Sequence, residues 1–181
     1  MSVKIMYFVH GASLDNEQGI SSGWNDPALS ALGIKQAGEL KDKIQGQKFD
    51  AVFCSDLKRA VETAQIVFEG NVPITLDSRL RECNYGQFNG QPESIVNPLK
   101  RQHIIERFPD GESYEDVKTR LRDFLNFIKK DRSSHSIAFL AHQGPQLALE
   151  VLLHGKSWSE VFDQDWRNTK TWQAGWAYEV R

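Results

Sequence analysis

Three short apolar runs in this chain each end at a polar junction and are followed by a stretch of helical periodicity. The runs are Lys4–Val9, Ala51–Cys54 and Ser136–Ala141, and their length and apolar content are typical of buried strands. Strands that alternate with helices pair in parallel through right-handed crossovers, and helices then cover both faces of the sheet. The pattern predicts an α/β fold, a three-layer α/β/α sandwich with a mainly parallel central sheet.

Local patterns predict further elements and their ends. Ser55 is expected to cap the helix that follows the second run, and Ser113–Asp116 is expected to form a capping box. Short edge strands are expected at Pro73–Leu76 and Trp172–Val180. One helix is expected to bury a stripe of apolar residues at helical spacing, namely Leu29, Leu32, Ala37, Leu40 and Ile44.

Composition and charge narrow the class of protein. The 181 residues contain 22 Lys and Arg against 24 Asp and Glu, so bulk electrostatics do not favour a nucleic-acid partner. No apolar stretch approaches the roughly 20 residues of a membrane span. Two cysteines, Cys54 and Cys83, are too few for a disulfide framework and suggest a reducing compartment. We expect one domain over residues 1–181, in a cytoplasmic protein without nucleic-acid or membrane partners, and the sequence sets no oligomeric state.

The three junctions bring polar groups to one edge of the predicted sheet. They are His10–Gly11, Ser55–Arg59 and His142–Gly144, and the carboxyl ends of parallel strands lie on one side. Helix N-termini after Ser55 and His142 would favour a bound phosphate, and Arg59 would add a bidentate guanidinium. An anion site, a phosphoryl-transfer site, a metal site and coincidence all stay open. A metal site has little support because neither His-x-x-His nor His-Glu-x-x-His spacing occurs.

Six short motifs follow one another along the chain at spacings that match a known family. They are Val9-His-Gly-Ala-Ser-Leu-Asp-Asn16, Gly23-Trp-Asn-Asp-Pro-Ala-Leu-Ser30, Ser55-Asp-Leu-Lys-Arg-Ala60, Leu80-Arg-Glu-Cys-Asn-Tyr-Gly86, Gly111-Glu-Ser113 and Ala141-His142. With these motifs the sequence resembles the histidine phosphatase superfamily, the phosphoglycerate-mutase-like enzymes, over nearly its full length.

The resemblance implies four catalytic residues and no metal ion or other cofactor. His10 is similar to the family's nucleophile, whose imidazole nitrogen attacks phosphorus and forms a phosphohistidine. Arg59 is similar to the guanidinium that neutralises phosphate oxygens in the transition state. His142 is similar to the second phosphate-binding histidine, which donates a hydrogen bond and positive charge. Glu82 is similar to the residue that protonates the leaving alcohol and then activates water.

Four further residues are expected to contact the substrate. Gly11 would leave room for a phosphate beside the backbone, and Asn16 matches the family's phosphate-contacting asparagine. Ser22 and Gln143 are weaker candidates at the same pocket. A basic cluster is expected to be a solvated face, with a second anionic group of the substrate as the alternative ligand. Its members are Lys100, Arg101, His103 and Arg107.

The triplet around the expected nucleophile departs from the family pattern. The family carries arginine immediately before that histidine, where this chain has Val9, and Ala12 stands in place of the usual acidic residue. Loss of one preorganised donor typically costs on the order of 3–4 kcal/mol of transition-state stabilisation. Two interpretations stay open. The site either lacks one clamp, or the pocket is rebuilt around Lys58, Arg81 or Gln143.

We expect a metal-independent phosphomonoesterase that acts through a phosphohistidine on a small phosphorylated metabolite, with inorganic phosphate as product. The alternatives are a phosphoglycerate-mutase-type phosphotransferase and a catalytically weak relative that binds phosphorylated ligands or proteins. A mutase is disfavoured because only residues 83–110 lie between Glu82 and Gly111, where family mutases carry a longer excursion. A cysteine-dependent phosphatase is disfavoured because the loop from Cys54 to Arg59 is one residue too short to encircle a phosphate.

Overall fold

The computed structural model describes residues 2–70, 72–130, 136–169 and 175–180. The strands in this part are β1 (Val3–Val9), β2 (Ile20–Ser21), β3 (Ala51–Cys54), β4 (Ile74–Leu76), β5 (Gln91–Pro92), β6 (Ser136–Ala141) and β7 (Trp176–Val180). The helices are α1 (Leu14–Glu17), α2 (Ala31–Lys43), α3 (Lys58–Phe68), α4 (Glu93–Lys100), α5 (Tyr114–Lys130), α6 (Gln143–His154), α7 (Trp158–Asp163) and α8 (Trp166–Thr169). No helix within the described ranges is both long and apolar enough to cross a bilayer.

Five strands form the central sheet in the order β4-β3-β6-β1-β7, and β2 pairs with β5 in a separate ribbon. β1, β3, β4 and β6 are parallel, with Val9 opposite Ala141 and Cys54 opposite Leu140, so their carboxyl ends lie at one edge. β7 is antiparallel to β1. The mainly parallel sheet is therefore confirmed, and β7 lies at the predicted edge, although residues 172–174 of its predicted span fall outside the described residues.

Each face of the sheet has its own hydrophobic core, because alternate strand residues face opposite sides. On one face, Tyr7 and Phe139 pack with apolar residues of α5, α6 and α7. On the other face, Phe8 and Leu140 pack with residues of α2 and α3. Full burial of one such side chain contributes about 1.5–3 kcal/mol. The two cores confirm the predicted α/β/α layers.

The predicted cap at Ser55 is wrong. α3 begins at Lys58, with Leu57 at its N-cap position and no side-chain capping bond. The Ser55 hydroxyl accepts the amide hydrogen of Leu57 at 3.3 Å and lies 2.8 Å from Nε2 of His142. The Ser55 hydroxyl, which the sequence pattern assigned to the helix end, therefore contacts the buried imidazole of His142 instead.

Predictions for the other elements are confirmed with one exception. The capping box holds, because Ser113 and Asp116 exchange side-chain-to-amide bonds at 2.9 and 3.1 Å at the start of α5. The first edge strand is β4, which pairs with β3. The exception is the stripe of α2. Leu32 is 45% exposed, and Leu29 is buried but precedes the helix, which begins at Ala31. The buried stripe passes through Gly33 instead of Leu32.

Candidate active site

A cavity of about 690 Å³ opens where β1 and β6 end, and its size is typical of small-molecule sites. The cavity is lined by six of the residues predicted for the site, namely His10, Asn16, Ser22, Arg59, Glu82 and Gln143. Gly11 and His142, the remaining two, are not part of the lining. The three strand-end junctions therefore do meet on one side of the sheet.

The imidazole of His10 is held in a defined tautomer. Nδ1 lies 2.6 Å from the carbonyl oxygen of Gly11, which is an acceptor, so Nδ1 carries the proton. Nε2 is then unprotonated, and it accepts a hydrogen bond of 3.3 Å from Nε of Arg59. Burial, followed by the charge of Arg59, lowers the pKa of His10 to about 3. At neutral pH the ring is therefore neutral, and the lone pair of Nε2 accepts the hydrogen bond from Arg59.

Arg59 is buried at the start of α3, with 2% of its surface exposed. Its Nη1 donates to the carbonyl oxygen of Asn25 at 2.9 Å, and its Nη2 donates to that of Gly23 at 2.8 Å. A guanidinium has five N–H groups, so those that remain after these bonds and the bond to His10 can meet an anion. Burial lowers the pKa of Arg59. The Gly23–Asn25 loop therefore orients the group that the resemblance assigns to phosphate.

His142 lies fully buried beside His10, with ring centroids 4.9 Å apart. Its Nε2 lies 2.8 Å from the Ser55 hydroxyl, and its Nδ1 is a buried atom without a hydrogen-bond partner among the described residues. Burial, followed by the charge of Arg59, holds the pKa of His142 well below its usual value. Burial therefore favours the neutral ring in the free site, and the expected contact of His142 with phosphate stays a prediction.

Tyr7 fixes the backbone that carries His142. The Tyr7 hydroxyl donates to the carbonyl oxygen of His142 at 2.7 Å and accepts its amide hydrogen at 3.1 Å. Because Tyr7 is a fully buried residue of β1, these two hydrogen bonds connect the end of β6 to the neighbouring strand. The two histidines are thus positioned by the register of β1 and β6.

The carboxylate of Glu82 lies at the N-terminus of α6. Oε1 accepts the amide hydrogens of Cys83 and Gly144, each at 2.8 Å, and Oε2 accepts that of Gln143 at 3.1 Å. A Cβ atom at Gly144 would overlap Oε1, so a larger residue there would force the carboxylate to move. The side chain lines the cavity although the residue is only 8% exposed. Glu82 is therefore a fixed carboxylate that faces the reaction space.

Helix amides at the rim serve carboxylates of the protein. The first amides of α6, from Gln143 and Gly144, donate to Glu82. The amide of Lys58, the first residue of α3, donates to Asp26 at 2.6 Å. The expectation that these two N-termini present their first amides to phosphate is wrong in this structure, because a nearby carboxylate already satisfies them.

A second layer of contacts holds the loop that carries Glu82. Its carbonyl oxygen accepts Nε1 of Trp24 at 2.7 Å and Nη2 of Arg120 at 2.9 Å. Arg120 also pairs with Glu112 at 2.8 Å, and Glu112 accepts the amide hydrogen of Asn84 at 2.9 Å. The Gly111–Ser113 motif therefore contributes a carboxylate that positions the acid loop.

These positions match those of a known family throughout the chain. The family described as histidine phosphatase superfamily (branch 1) matches residues 6–178. The chain belongs to the histidine phosphatase superfamily. The resemblance stated from the motifs is thereby confirmed.

Relatives of this chain include phosphatases and mutases. It is 29% identical to phosphoserine phosphatase 1 of Hydrogenobacter thermophilus over 87% of this chain and 81% of that protein. It is 30% identical to a phosphoglycerate mutase of Schizosaccharomyces pombe over 86% of this chain and 82% of that protein. The fold matches the alpha-ribazole phosphatase of Shigella flexneri with a TM-score of 0.79, at 24% identity, over 89% and 84% of the two chains. These relatives support an enzyme of phosphatase or mutase type.

Two polar residues predicted to bind substrate line the cavity. The Oδ1 atom of Asn16 accepts the amide hydrogen of Ser13 at 3.0 Å, which fixes the amide group in place. The hydroxyl of Ser22 is buried and has no partner within the described ranges. A buried polar group without a partner is costly, so Ser22 is suited to a ligand. Contact of either residue with substrate stays a prediction.

Gly11 serves packing between two backbones. Its amide donates to Oγ1 of Thr63 at 3.1 Å, and a Cβ atom at Gly11 would overlap the carbonyl oxygen of Gly33 in α2. A Cβ atom at Gly33 would in turn overlap the carbonyl oxygen of Ala12. The space beside Gly11 is therefore occupied by α2, and its predicted part in phosphate binding remains untested.

The basic cluster is divided by the fold. Lys100 lines the cavity, with Nζ 3.0 Å from Oε1 of Gln143, and burial lowers its pKa. Arg101 also lines the cavity, and its Nη2 donates to Asp163. His103 and Arg107 do not line it. The predicted solvated face is thus wrong for Lys100, because the end of α4 turns toward the site, whereas Arg101 lines the cavity and stays 46% exposed at its side chain.

The sequence pattern missed the C-terminal part of the cavity. Asp165, Trp166, Arg167 and Asn168 line it from α8 and the residue before it. The side-chain amide of Gln143 donates to Asp165, which also accepts Nη1 of Arg167 at 2.9 Å. No motif or periodicity marks these residues. Only the return of the chain after α7 brings them to the site.

Neither a cysteine nucleophile nor a metal cluster is supported by the arrangement. Cys54 is fully buried, its thiol donates to the carbonyl oxygen of Ser55 at 3.1 Å, and burial raises its pKa. A protonated, buried thiol is a poor nucleophile. Across the described ranges, no group of three or more His, Cys, Asp or Glu side chains is placed to hold a metal ion.

Proposed function

We propose that this histidine phosphatase hydrolyses small phosphomonoesters through a phosphohistidine at His10, without a metal ion. The observation that carries the proposal is the tautomer of His10. Its Nδ1–H is committed to the carbonyl oxygen of Gly11, so Nε2 is unprotonated, and His10 lines the cavity. A pKa of about 3 keeps the ring neutral throughout the physiological range.

The proposed reaction has two steps. In the first, the Nε2 lone pair of His10 attacks phosphorus in line while the bond from phosphorus to the ester oxygen breaks. Arg59 binds the phosphate oxygens, and Glu82, once it has taken up a proton, gives that proton to the departing alcohol. In the second step, the oxygen of a water molecule attacks the phosphorus of the phosphohistidine while Glu82 takes a proton from that water. The N–P bond breaks, phosphate leaves, and His10 returns to its neutral form.

Hydrolysis of a small metabolite has more support than phosphoryl transfer between metabolites. The cavity of about 690 Å³ suits a small substrate. Two of the relatives named above are phosphatases of small phosphorylated molecules, phosphoserine phosphatase 1 and alpha-ribazole phosphatase. Residues 83–110 leave only a short excursion between Glu82 and Gly111. We therefore propose water, and not a second metabolite, as the acceptor.

A rapid-quench experiment with a ³²P-labelled aryl phosphate tests this proposal. The wild type should yield an acid-labile, base-stable labelled protein, and His10→Ala should yield none, with kcat reduced at least about a thousandfold. Cys54→Ser is the matched control and should keep both label and turnover. A chelator should leave the rate unchanged.

Three results would count against the proposal. The first is ³²P label on the His10→Ala protein, and the second is loss of activity when the chelator is added. The third is a wild type that binds phosphate but releases none from a phosphomonoester. The last result would favour the phosphate-binding alternative. A panel that includes phosphoserine, 3-phosphoglycerate and alpha-ribazole phosphate would then identify the substrate class.

A further inference from the structure

The wall of the cavity next to the expected nucleophile carries an aliphatic side chain. Val9 is the last residue of β1, lines the cavity and packs partly against the core. It can donate no hydrogen bond to an anion from its side chain. A phosphomonoester carries close to two negative charges at neutral pH, and Arg59 is a single guanidinium. Another cation of this chain would have to reach the same anion to balance its charge.

The cations proposed from the sequence do not line the cavity. Nζ of Lys58 lies 3.9 Å from Glu62, and its side chain is 54% exposed. Arg81 forms a two-bond pair with Asp56, with both distances 2.7 Å. Both cations are therefore engaged elsewhere.

Gln143, the third candidate from the sequence, does line the cavity, but its side chain is committed at both ends. The carbonyl oxygen accepts Lys100, and the amide nitrogen donates to Asp165. An amide that is already bonded on both sides is poorly placed to take over the role of a charged donor. Its bond to Asp165 nonetheless connects α6 to the C-terminal segment.

Arg167 is a cation that this segment brings to the cavity. Asp165, which is 4% exposed at its side chain, accepts Nη1 of Arg167 at 2.9 Å and its backbone amide at 3.1 Å. The guanidinium also lies over the ring of Trp166 at 4.6 Å. Its Nε and Nη2 groups make no hydrogen bond with any described residue. They leave a two-nitrogen edge of the kind that binds phosphate oxygens.

The charge of Arg167 reaches the reacting end of the site. Burial and then Arg59 are the main causes of the low pKa of His10, and Arg167 lowers that pKa further. Arg167 also lowers the pKa of Lys100, after the larger effect of burial. Arg167 lines the same cavity as His10 and Lys100, and its charge acts on both groups.

We propose that Arg167, tethered by Asp165, is the second guanidinium of the phosphate site and supplies the positive charge that Val9 does not. The inference rests on the proposed function for its effect on turnover, but its effect on phosphate binding stands alone. The pocket is then rebuilt from the C-terminal segment. Arg59 approaches the anion from α3, and Arg167 approaches it from α8.

Binding of inorganic phosphate, measured by calorimetry, provides the first test. Arg167→Ala should weaken phosphate binding about tenfold to a hundredfold, the usual cost of a hydrogen bond to a charged group. Arg167→Gln keeps a side chain that can donate to Asp165 and should lose nearly as much, because it lacks the charge. Lys58→Ala removes an exposed cation outside the cavity and should bind phosphate as the wild type does. Thermal melts check that each variant is folded.

A double variant provides the second test. Val9→Arg should restore phosphate affinity and kcat/KM on an aryl phosphate when combined with Arg167→Ala, because one guanidinium replaces the other. In the wild-type background the same change should bring no gain, since Arg167 already holds the charge. Equal gains in both backgrounds would overturn the inference, as would an Arg167→Ala variant that binds phosphate like the wild type. A wild type that hydrolyses no phosphomonoester would refute the proposed function alone, and phosphate affinity would still decide the role of Arg167.

Discussion

The two ends of the cavity are held in different ways. At the sheet end, His10 and His142 follow directly from β1 and β6, and the amide of His10 donates to Ala141 across the strand pair at 3.2 Å. At the far end, Asp165 and Arg167 come from short C-terminal elements, and Gln143 links Asp165 to α6. Strand register positions the reacting atoms, whereas side-chain contacts position the far wall.

The residues expected to react and the residues expected to bind the substrate at the far end are therefore held in place by different kinds of contact. A strand cannot shift by one residue without turning its side chains to the other face, so the geometry around His10 is robust. A wall held by one carboxylate can change its charge and shape with few substitutions. We therefore expect substitutions at the sheet end to change kcat and stability, and substitutions at the far end to change binding.

The largest expected effect is the loss of stability in acid that His10 causes. In the unfolded chain a histidine binds a proton near pH 6.5, while folded His10 stays neutral down to about pH 3. Between these values the unfolded state holds more protons, so the free energy of unfolding falls as the pH falls, by about 1.4 kcal/mol per pH unit. The contribution is fully present above pH 6.5.

His10→Ala removes this contribution and serves as the comparison. Urea unfolding between about pH 7 and pH 4 should give a shallower decline for the variant than for the wild type. Titration of carboxylates is common to both proteins and cancels in the difference. Parallel curves would show that His10 is not buried in its neutral form and would weaken the contrast between the two ends.

A smaller effect is expected from Gly144→Ala. The new methyl group would displace the Glu82 carboxylate, since a Cβ atom there overlaps Oε1. Misplacing a proton donor should lower kcat about tenfold on alkyl phosphates and less on aryl phosphates, whose leaving groups need less protonation. Steady-state rates on one substrate of each kind measure the difference.

Gly38→Ala is the matched control for that change. A Cβ atom at Gly38, inside α2, meets nothing within 4 Å. This variant should keep its activity and gain up to about 1 kcal/mol of stability, because alanine favours the helix over glycine. An equal loss of rate on both kinds of substrate in Gly144→Ala would argue against a proton-donor role for Glu82.

The smallest effect is expected at the far end. Arg101 pairs with Asp163 at 2.6 Å, and its side chain is 46% exposed. Arg101→Ala should raise KM about threefold and leave kcat unchanged, in keeping with the small contribution of exposed ion pairs. Kinetics on a substrate with a second anionic group give the most sensitive measurement. A tenfold fall in kcat would show that the far wall also controls the reacting atoms.

The strand-end half of the site could be predicted from the sequence because local pattern determines it. The bounds of β6 are those predicted, and β1 differs by one residue. His10 and Glu82 belong to short sequence motifs, and both line the cavity. The role of Ser55 could not be predicted, since its choice between a helix end and His142 depends on a residue 87 positions away.

The far half could not be predicted for the same physical reason. Arg167 belongs to a four-residue helix with no apolar periodicity, and its place depends on the link between Gln143 and Asp165. Lys100 gave a misleading signal, because a run of basic residues usually indicates a solvated face. Lys100 is buried because α4 ends toward the cavity, and the charge of a side chain does not predict the direction of a helix.

The contact between Gly11 and Gly33 sets a limit on how this sequence can diverge. Each residue faces main-chain atoms of the other segment, so neither clash can be relieved by trimming a neighbouring side chain. In a library randomised at both positions, selection for folded protein should return glycine at each, with no compensating pairs. The loop after β1 and the start of α2 should therefore keep glycine at both positions, whereas the side-chain contacts of the far wall impose no such main-chain constraint.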